Sequence, residues 1–173
     1  MELKEHRDAI LDRWIESVFG QYPDETSKFL RNQKDRFANP VGASLREGLA
    51  GLLDGVIRGA EDGDFESPLD SVIRVRAVQE FSPAAAVGFV FDLKKIVRDD
   101  VGKSGSLNAT DFAAFDCTID HLALLAFDVY MGCREQLWAI RAKQIRNESV
   151  GIMERVAEWR AEKEKSRENA PQS

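Results

Sequence analysis

Residues 108–143, NATDFAAFDCTIDHLALLAFDVYMGCREQLWAIRAK, read in helical register from end to end. Phe112, Phe115, Ile119, Leu122, Ala126, Val129 and Cys133 recur every three or four positions, the spacing that keeps side chains on one helix face. That stripe is the expected core seam. Between Leu122 and Met131 the other faces are apolar as well, with Leu124, Leu125 and Phe127, so the helix is expected to be covered on more than one side, as a central or a dimer helix. The pattern continues towards Lys165. One unbroken helix from Asp111 to Lys165 would measure roughly 80 Å, against about 40 Å for a domain of this size, so it must break, most naturally near Gly151, or project.

The rest of the chain supports an all-α reading. No stretch alternates with a period of two between turn signals. A first helix covers about Lys4 to Gln21, with Ile10, Leu11, Trp14, Ile15, Val18 and Phe19 on one face. A weaker one covers Asp24 to Arg36 and should bury Phe29 and Leu30. Asn39 before Pro40 is a cap-and-proline start for a third helix, Val41 to Glu61. That helix carries Gly48, Gly51, Gly55 and Gly59 beside its leucine stripe, at a cost of about 1 kcal/mol each relative to alanine. Something must approach that stripe closely, either a crossing helix or the contents of a cavity. Glu61 to Glu66 reads as an acidic loop, and Ser67, Pro68 and Asp70 read as the start of a fourth helix. Ser82 and Pro83 start a fifth, to about Val101. Its Lys94, Lys95 and Arg98 should face water. GKSGSLNAT then leads to the long helix, capped by Asn108 or Thr110.

With 173 residues, 43% hydrophobic and 31% charged, the chain suits one globular domain. No apolar run approaches the ~20 residues that span a bilayer, and the charged, helical start MELKEHRDAILDRW is unlike a signal peptide, so the expectation is cytoplasmic with no membrane insertion. A net charge of -6 argues against nucleic acid, whose binding requires a basic surface. Cys117 and Cys133, about 24 Å apart along one helix, cannot pair within a chain. No G-x-S-x-G, P-loop, G-x-G-x-x-G or H-E-x-x-H string occurs, so no catalytic role and no metal site are expected.

Two charges fall on apolar faces. Arg46 lies at the edge of the third helix's buried sector, and Arg76 in the middle of the fourth's, one turn before Glu80. Arg76 either pairs with Glu80 and snorkels at the helix end, or joins Arg46 in one pocket for an anion or a partner's carboxylate. His121, opposite the main seam, is either a packed or dimer-interface histidine or a ligand- or pH-sensing contact. Asp116, Asp120 and Asp128 beside it read as a solvated face. Beyond Arg141, Ile145, Ile152, Val156 and Trp159 form a sparse stripe in a charged background, a coiled-coil or docking segment in which Val156 and Trp159 would bind a partner. The last residues, SRENAPQS, should fray.

DRFANPVGASLREGL (Asp35 to Leu49) and RVRAVQEFSPAAAVGFVF (Arg74 to Phe91) resemble the two signature stretches of the N-terminal domain of RsbR-type stressosome proteins, the RsbT co-antagonist RsbRD N-terminal family. The resemblance covers about Arg7 to Leu107 and, more loosely, the helix to Trp138. Phe37, Asn39, Pro40, Arg46, Gly48, Arg76, Gln79, Ser82 and Pro83 are the signature positions present. It implies a globin-like bundle of five to six helices that binds no haem, a homodimer, and a sensing or scaffolding role. On this reading residues 1–141 are the sensor-like domain and 142–173 a helical extension. No STAS-like alternation of strands and helices follows Trp138, so the output acts in trans on a protein partner. Arg46, Arg76, Gln79 and His121 become the ligand-site candidates, with no cofactor expected. A ligand-free adaptor is the alternative, and a tetrapyrrole protein a third, since haem needs an axial histidine in an apolar pocket and only His6 and His121 occur.

Overall fold

The computed structural model describes the backbone of residues 2–100 and 109–168 and the side chains of residues 3–100 and 109–160. After a single 3-10 turn it contains α1 (Arg7–Phe19), α2 (Asp24–Asn32), α3 (Pro40–Arg58), α4 (Asp62–Val78), α5 (Pro83–Asp100) and α6 (Ala109–Glu168), with no strand among the described residues. The fold is all-α. It forms two compact units, Met1–Arg134 and Glu135–Ser173. The expected end of the fifth helix at Val101, the Asn108 cap and the final residues from Asn169 lie outside the described residues; Thr110 lies inside α6.

The core of the first unit is built where apolar stripes meet. Trp14 of α1 stacks on Phe89 of α5, ring centroids 5.9 Å apart, and its indole N–H donates to the Phe89 carbonyl at 2.7 Å. Both burial and the polar handle of the indole are thereby satisfied. Asn39 caps α3 as expected: its Oδ1 accepts from Gly42 N at 2.8 Å, and its Nδ2 donates to the Gln33 carbonyl at 2.9 Å, with Pro40 at the first helical position. Arg7 clamps α1 to α3 through two bonds to Asp54, of 2.6 and 2.9 Å, which hold the Asp54 carboxyl below its usual range.

The glycine stripe is a helix crossing. A Cβ at Gly48 would lie 2.6 Å from Val72 Cγ2 and 2.9 Å from the Pro68 carbonyl; at Gly51 it would lie 3.0 Å from the Pro68 ring, and at Gly55 2.6 Å from the Phe65 ring. Gly59 serves differently, ending α3 in the left-handed conformation at φ 68°. α3 therefore stops at Arg58, short of the expected Glu61.

Several expectations are corrected. Residues 62–66 are not a loop but the first turn of α4, and Pro68 lies inside that helix. Phe65, 3% exposed, supplies the reason: burying its ring against Gly55 draws the preceding turn into the helix, and the one bond that Pro68 cannot donate is given up. Phe29 is half exposed, whereas Ser27 and Leu30 are the buried pair of α2, with Ser27 Oγ donating to the Phe19 carbonyl at 2.7 Å. α2 also ends early, at Asn32, where Gln33 turns extended. Along α6 the seam is buried as expected, through Phe115, Ile119, Leu122, Ala126 and Cys133, with Tyr130 added. Yet Leu124, Phe127 and Met131 are exposed, so one face of this helix is covered within the chain, not several. Nor does α6 break at Gly151. Lys94, expected in water, reaches α6 and pairs with Asp120 at 2.8 Å and Asp116 at 3.7 Å, which makes part of the expected solvated acidic face a strap between α5 and α6.

The crossing predicts opposite effects for two identical substitutions. Gly48→Ala gains about 1 kcal/mol of helix propensity but must displace Val72 and the α4 backbone, for a net loss of about 1–2 kcal/mol. Gly88→Ala in α5, where a Cβ meets nothing within 4 Å, stabilises by about 0.5–1 kcal/mol. Denaturant unfolding of both variants measures the contrast.

Candidate functional site

Among the described residues of the first unit, one cation has a fully buried side chain. Arg76 is 0% exposed, at the last turn of α4. Its Nη2 donates to Gln21 Oε1 and, at 2.7 Å, to the Ala85 carbonyl, and its guanidinium lies over the Phe81 ring at 4.4 Å and the Phe89 ring at 5.4 Å. Nε and Nη1 are buried without a hydrogen-bond partner, and so is the hydroxyl of Tyr22. Burial pushes the guanidinium down from its ordinary value, opposed by Tyr22 and Asp92. Asp92 is in turn held by Ser17 Oγ and Gln21 Nε2, each at 2.9 Å. Gln21 thus stands as a neutral relay, its amide nitrogen on an anion and its amide oxygen on a buried cation.

The expectation that Arg76 pairs with Glu80 and snorkels to water is corrected. α4 ends at Val78, and Glu80 sits beyond it at φ 62°, outside helical i,i+4 geometry. A non-glycine residue in the left-handed region is strained by about 1 kcal/mol or more, and here it bends the chain so that α5 starts at Pro83 with Ser82 as its cap. The turn between α4 and α5 is gripped twice. Arg76 holds it from within at Ala85, while α6 holds it through Tyr130, whose hydroxyl donates to the Phe81 carbonyl at 2.7 Å, and Arg134, whose Nη1 reaches the Ala77 carbonyl at 3.4 Å.

The other expected residues do not join this cluster. Arg46 donates to the Leu30 carbonyl, lies 4.9 Å over the Phe19 ring and borders a groove of about 550 Å³ with Asp12, Glu16, Arg31 and Lys34. Arg76 does not line that groove, so the two arginines do not share one pocket. Gln79, the C-terminal cap of α4, borders a different groove of about 340 Å³ between α3 and α4, beside the Asp70–Arg74 ion pair. His121 is exposed and bonds Asp62 at 2.8 Å, tying α6 to the first turn of α4; the apolar enclosure of a haem ligand does not surround it. Val156 and Trp159 are exposed on the second unit. Sequence reading missed Gln21, Tyr22, Asp92, Tyr130 and Arg134. Gln21 and Tyr22 follow directly after α1 and lie more than fifty residues from Arg76, and no local pattern links them. Among the described residues no helix is long and apolar enough to cross a membrane, and no three His, Cys, Asp or Glu side chains are grouped for a metal.

Residues 8–145 match the model of the RsbT co-antagonist protein rsbRD N-terminal domain. An uncharacterized protein of Archaeoglobus fulgidus is 23% identical over 143 residues, covering 80% of this chain and 83% of its own length. No solved structure matches the chain.

Tyr22 gives the cluster a titration signature. Burial raises its hydroxyl above the usual tyrosine value, against the pull of Arg76. In the unfolded chain the phenol ionises near pH 10, so above that point the unfolded state loses a proton that the folded state keeps. Stability is therefore fully present below about pH 10 and falls as pH rises towards the higher folded value. Tyr22→Phe should flatten this alkaline slope in unfolding experiments between pH 9 and 11 relative to wild type.

Proposed function

The chain belongs to the RsbT co-antagonist rsbRD N-terminal family, and on that premise we propose that it is a non-catalytic sensory and regulatory domain, acting in the cytoplasm as a homodimer and signalling in trans to a protein partner. The observation that carries this reading is Arg76. A buried guanidinium hydrogen-bonded to an amide and a backbone carbonyl, not to a carboxylate, leaves two nitrogens unsatisfied. Such a junction is costly and therefore poised, and a carboxylate or phosphate ligand, or a partner that shifts α1 against α5, would change its balance. The response has a route. The turn that Arg76 holds is the turn that Tyr130 and Arg134 hold from α6, so a rearrangement there alters the purchase of α6 on the first unit. Arg46, at its own polar groove, is a second place where an anion would act.

A ligand-free adaptor is favoured by a different feature, the exposed Val156 and Trp159 on the second unit. Deleting residues 151–173 separates the readings: an adaptor loses all partner binding with an unchanged core, whereas a sensor keeps any ligand held near Arg76.

The direct test is native mass spectrometry of the protein isolated from its own source, wild type against Arg76→Met. Methionine keeps the apolar stem but removes the donor from Gln21 Oε1 and the Ala85 carbonyl, for a loss of about 1–3 kcal/mol. The expected result is a dimer carrying a small extra mass that the variant, still helical and dimeric, no longer retains. An extra mass held equally by the variant, or a variant that simply unfolds, would make Arg76 a structural residue.

A further inference from the structure

The second unit carries apolar side chains at an interval that its own helix does not require. Trp138, Ile145, Ile152 and Trp159 are spaced by seven residues, and all four are exposed. Four residues after the first three of them stand Ala142, Ser149 and Val156. This is a heptad with large residues at d and small ones at a, a seam for one further helix. The off-seam apolar residues Ile140, Val150 and Met153 do not share this interval.

We propose that this seam pairs antiparallel with the same segment of a second copy of the chain. The proposal rests on the homodimer reading above and adds to it the surface and the orientation. In a parallel pair like positions meet, which sets tryptophan against tryptophan and alanine against alanine, uneven layers that cannot all close. It also brings Arg141 towards Arg146 and Arg155 towards Arg160 of the second copy, like charges at the g and e flanks. Reversing one helix pairs every a with a d. Ala142 then meets Trp159, Ser149 meets Ile152, and Val156 meets Ile145, three layers of one small and one large side chain that recur by symmetry, with Trp138 beyond them at the end of the seam. The same register sets Glu148 of each copy against Arg155 of the other, twice by symmetry, and Arg146 against Met153. Within one helix Glu148 accepts from Gln144 at 3.2 Å, and among the described residues Arg155 bonds through its Nε to the Gly151 carbonyl at 3.2 Å, which leaves its outer guanidinium nitrogens to reach the second copy. Charge and volume select the same orientation independently.

Sedimentation equilibrium of the full chain tests this, because the two orientations assign opposite signs to one substitution. Antiparallel pairing predicts that R155E, which places like charges against Glu148, raises the dimer Kd about tenfold, that E148R does the same, and that the double swap returns it to within about twofold of wild type. An R155E variant that dimerises more tightly, by relieving Arg160, would overturn the proposal in favour of a parallel pair. A dimer indifferent to I152D as well would overturn the seam while leaving the homodimer reading intact. A wild-type chain that stays monomeric at about 100 μM would remove both.

Discussion

The first unit is closed around a charge. Arg76 reaches the core from the end of α4, and the end of α1, the start of α5 and the turn between α4 and α5 are each positioned by what the guanidinium needs: an amide oxygen from Gln21, a carbonyl from Ala85 and aromatic faces from Phe81 and Phe89. The cation–π faces compensate a positive charge without an ion pair, and they do so best where water is excluded. Asp92 is drawn towards the same point but stops at Ser17 and Gln21. A carboxylate placed directly on the guanidinium would lock the junction; an amide between them leaves it satisfied in part. The strained backbone at Glu80 belongs to the same arrangement, because an ordinary helical residue there would carry the chain past the point where the Ala85 carbonyl can face Arg76.

The α3–α4 crossing, by contrast, is tightly packed. Gly48, Gly51 and Gly55 let α4 approach until Pro68 and Phe65 touch α3; a larger residue at Gly48 must displace the α4 backbone, and one at Gly55 must displace the Phe65 ring. A tight crossing on one side and an incompletely satisfied charge on the other give α4 a fixed flank and an adjustable end.

What could be read in advance follows the range of the physics involved. Helix existence, the Asn39–Pro40 cap, the buried faces of α1 and α5 and the seam of α6 depend on spacing within a turn or two, and they are visible in one dimension. The glycine stripe on α3 announced a close approach but not its occupant, since Pro68 and Phe65 lie on another helix. Pro68 itself misled: proline is at home at the first position of a helix, and only the burial of Phe65 reveals that α4 has already begun. Hydrophobicity alone points to Phe29, but the face of α2 that is buried carries Ser27, bonded to the Phe19 carbonyl, and Leu30. For the candidate site the sequence identified the cation on an apolar face and none of its partners. Gln21, Tyr22 and Asp92 are ordinary surface-type residues until the fold brings them to Arg76.

The two halves of α6 differ in period, and the difference indicates what each half packs against. From Phe115 to Cys133 the seam of Phe115, Ile119, Leu122, Ala126, Tyr130 and Cys133 advances by about 3.6 residues per step, with Ala123 buried beside it, the repeat of a straight helix lying on a globular surface. From Trp138 to Trp159 the interval is seven residues, or 3.5 per turn, and a straight helix would let such a stripe drift about 20° per heptad. A stripe that holds the shorter period over three heptads stays in line only if the helix supercoils about another. The change of period along α6 is the sequence feature on which the proposed pairing of the second unit rests.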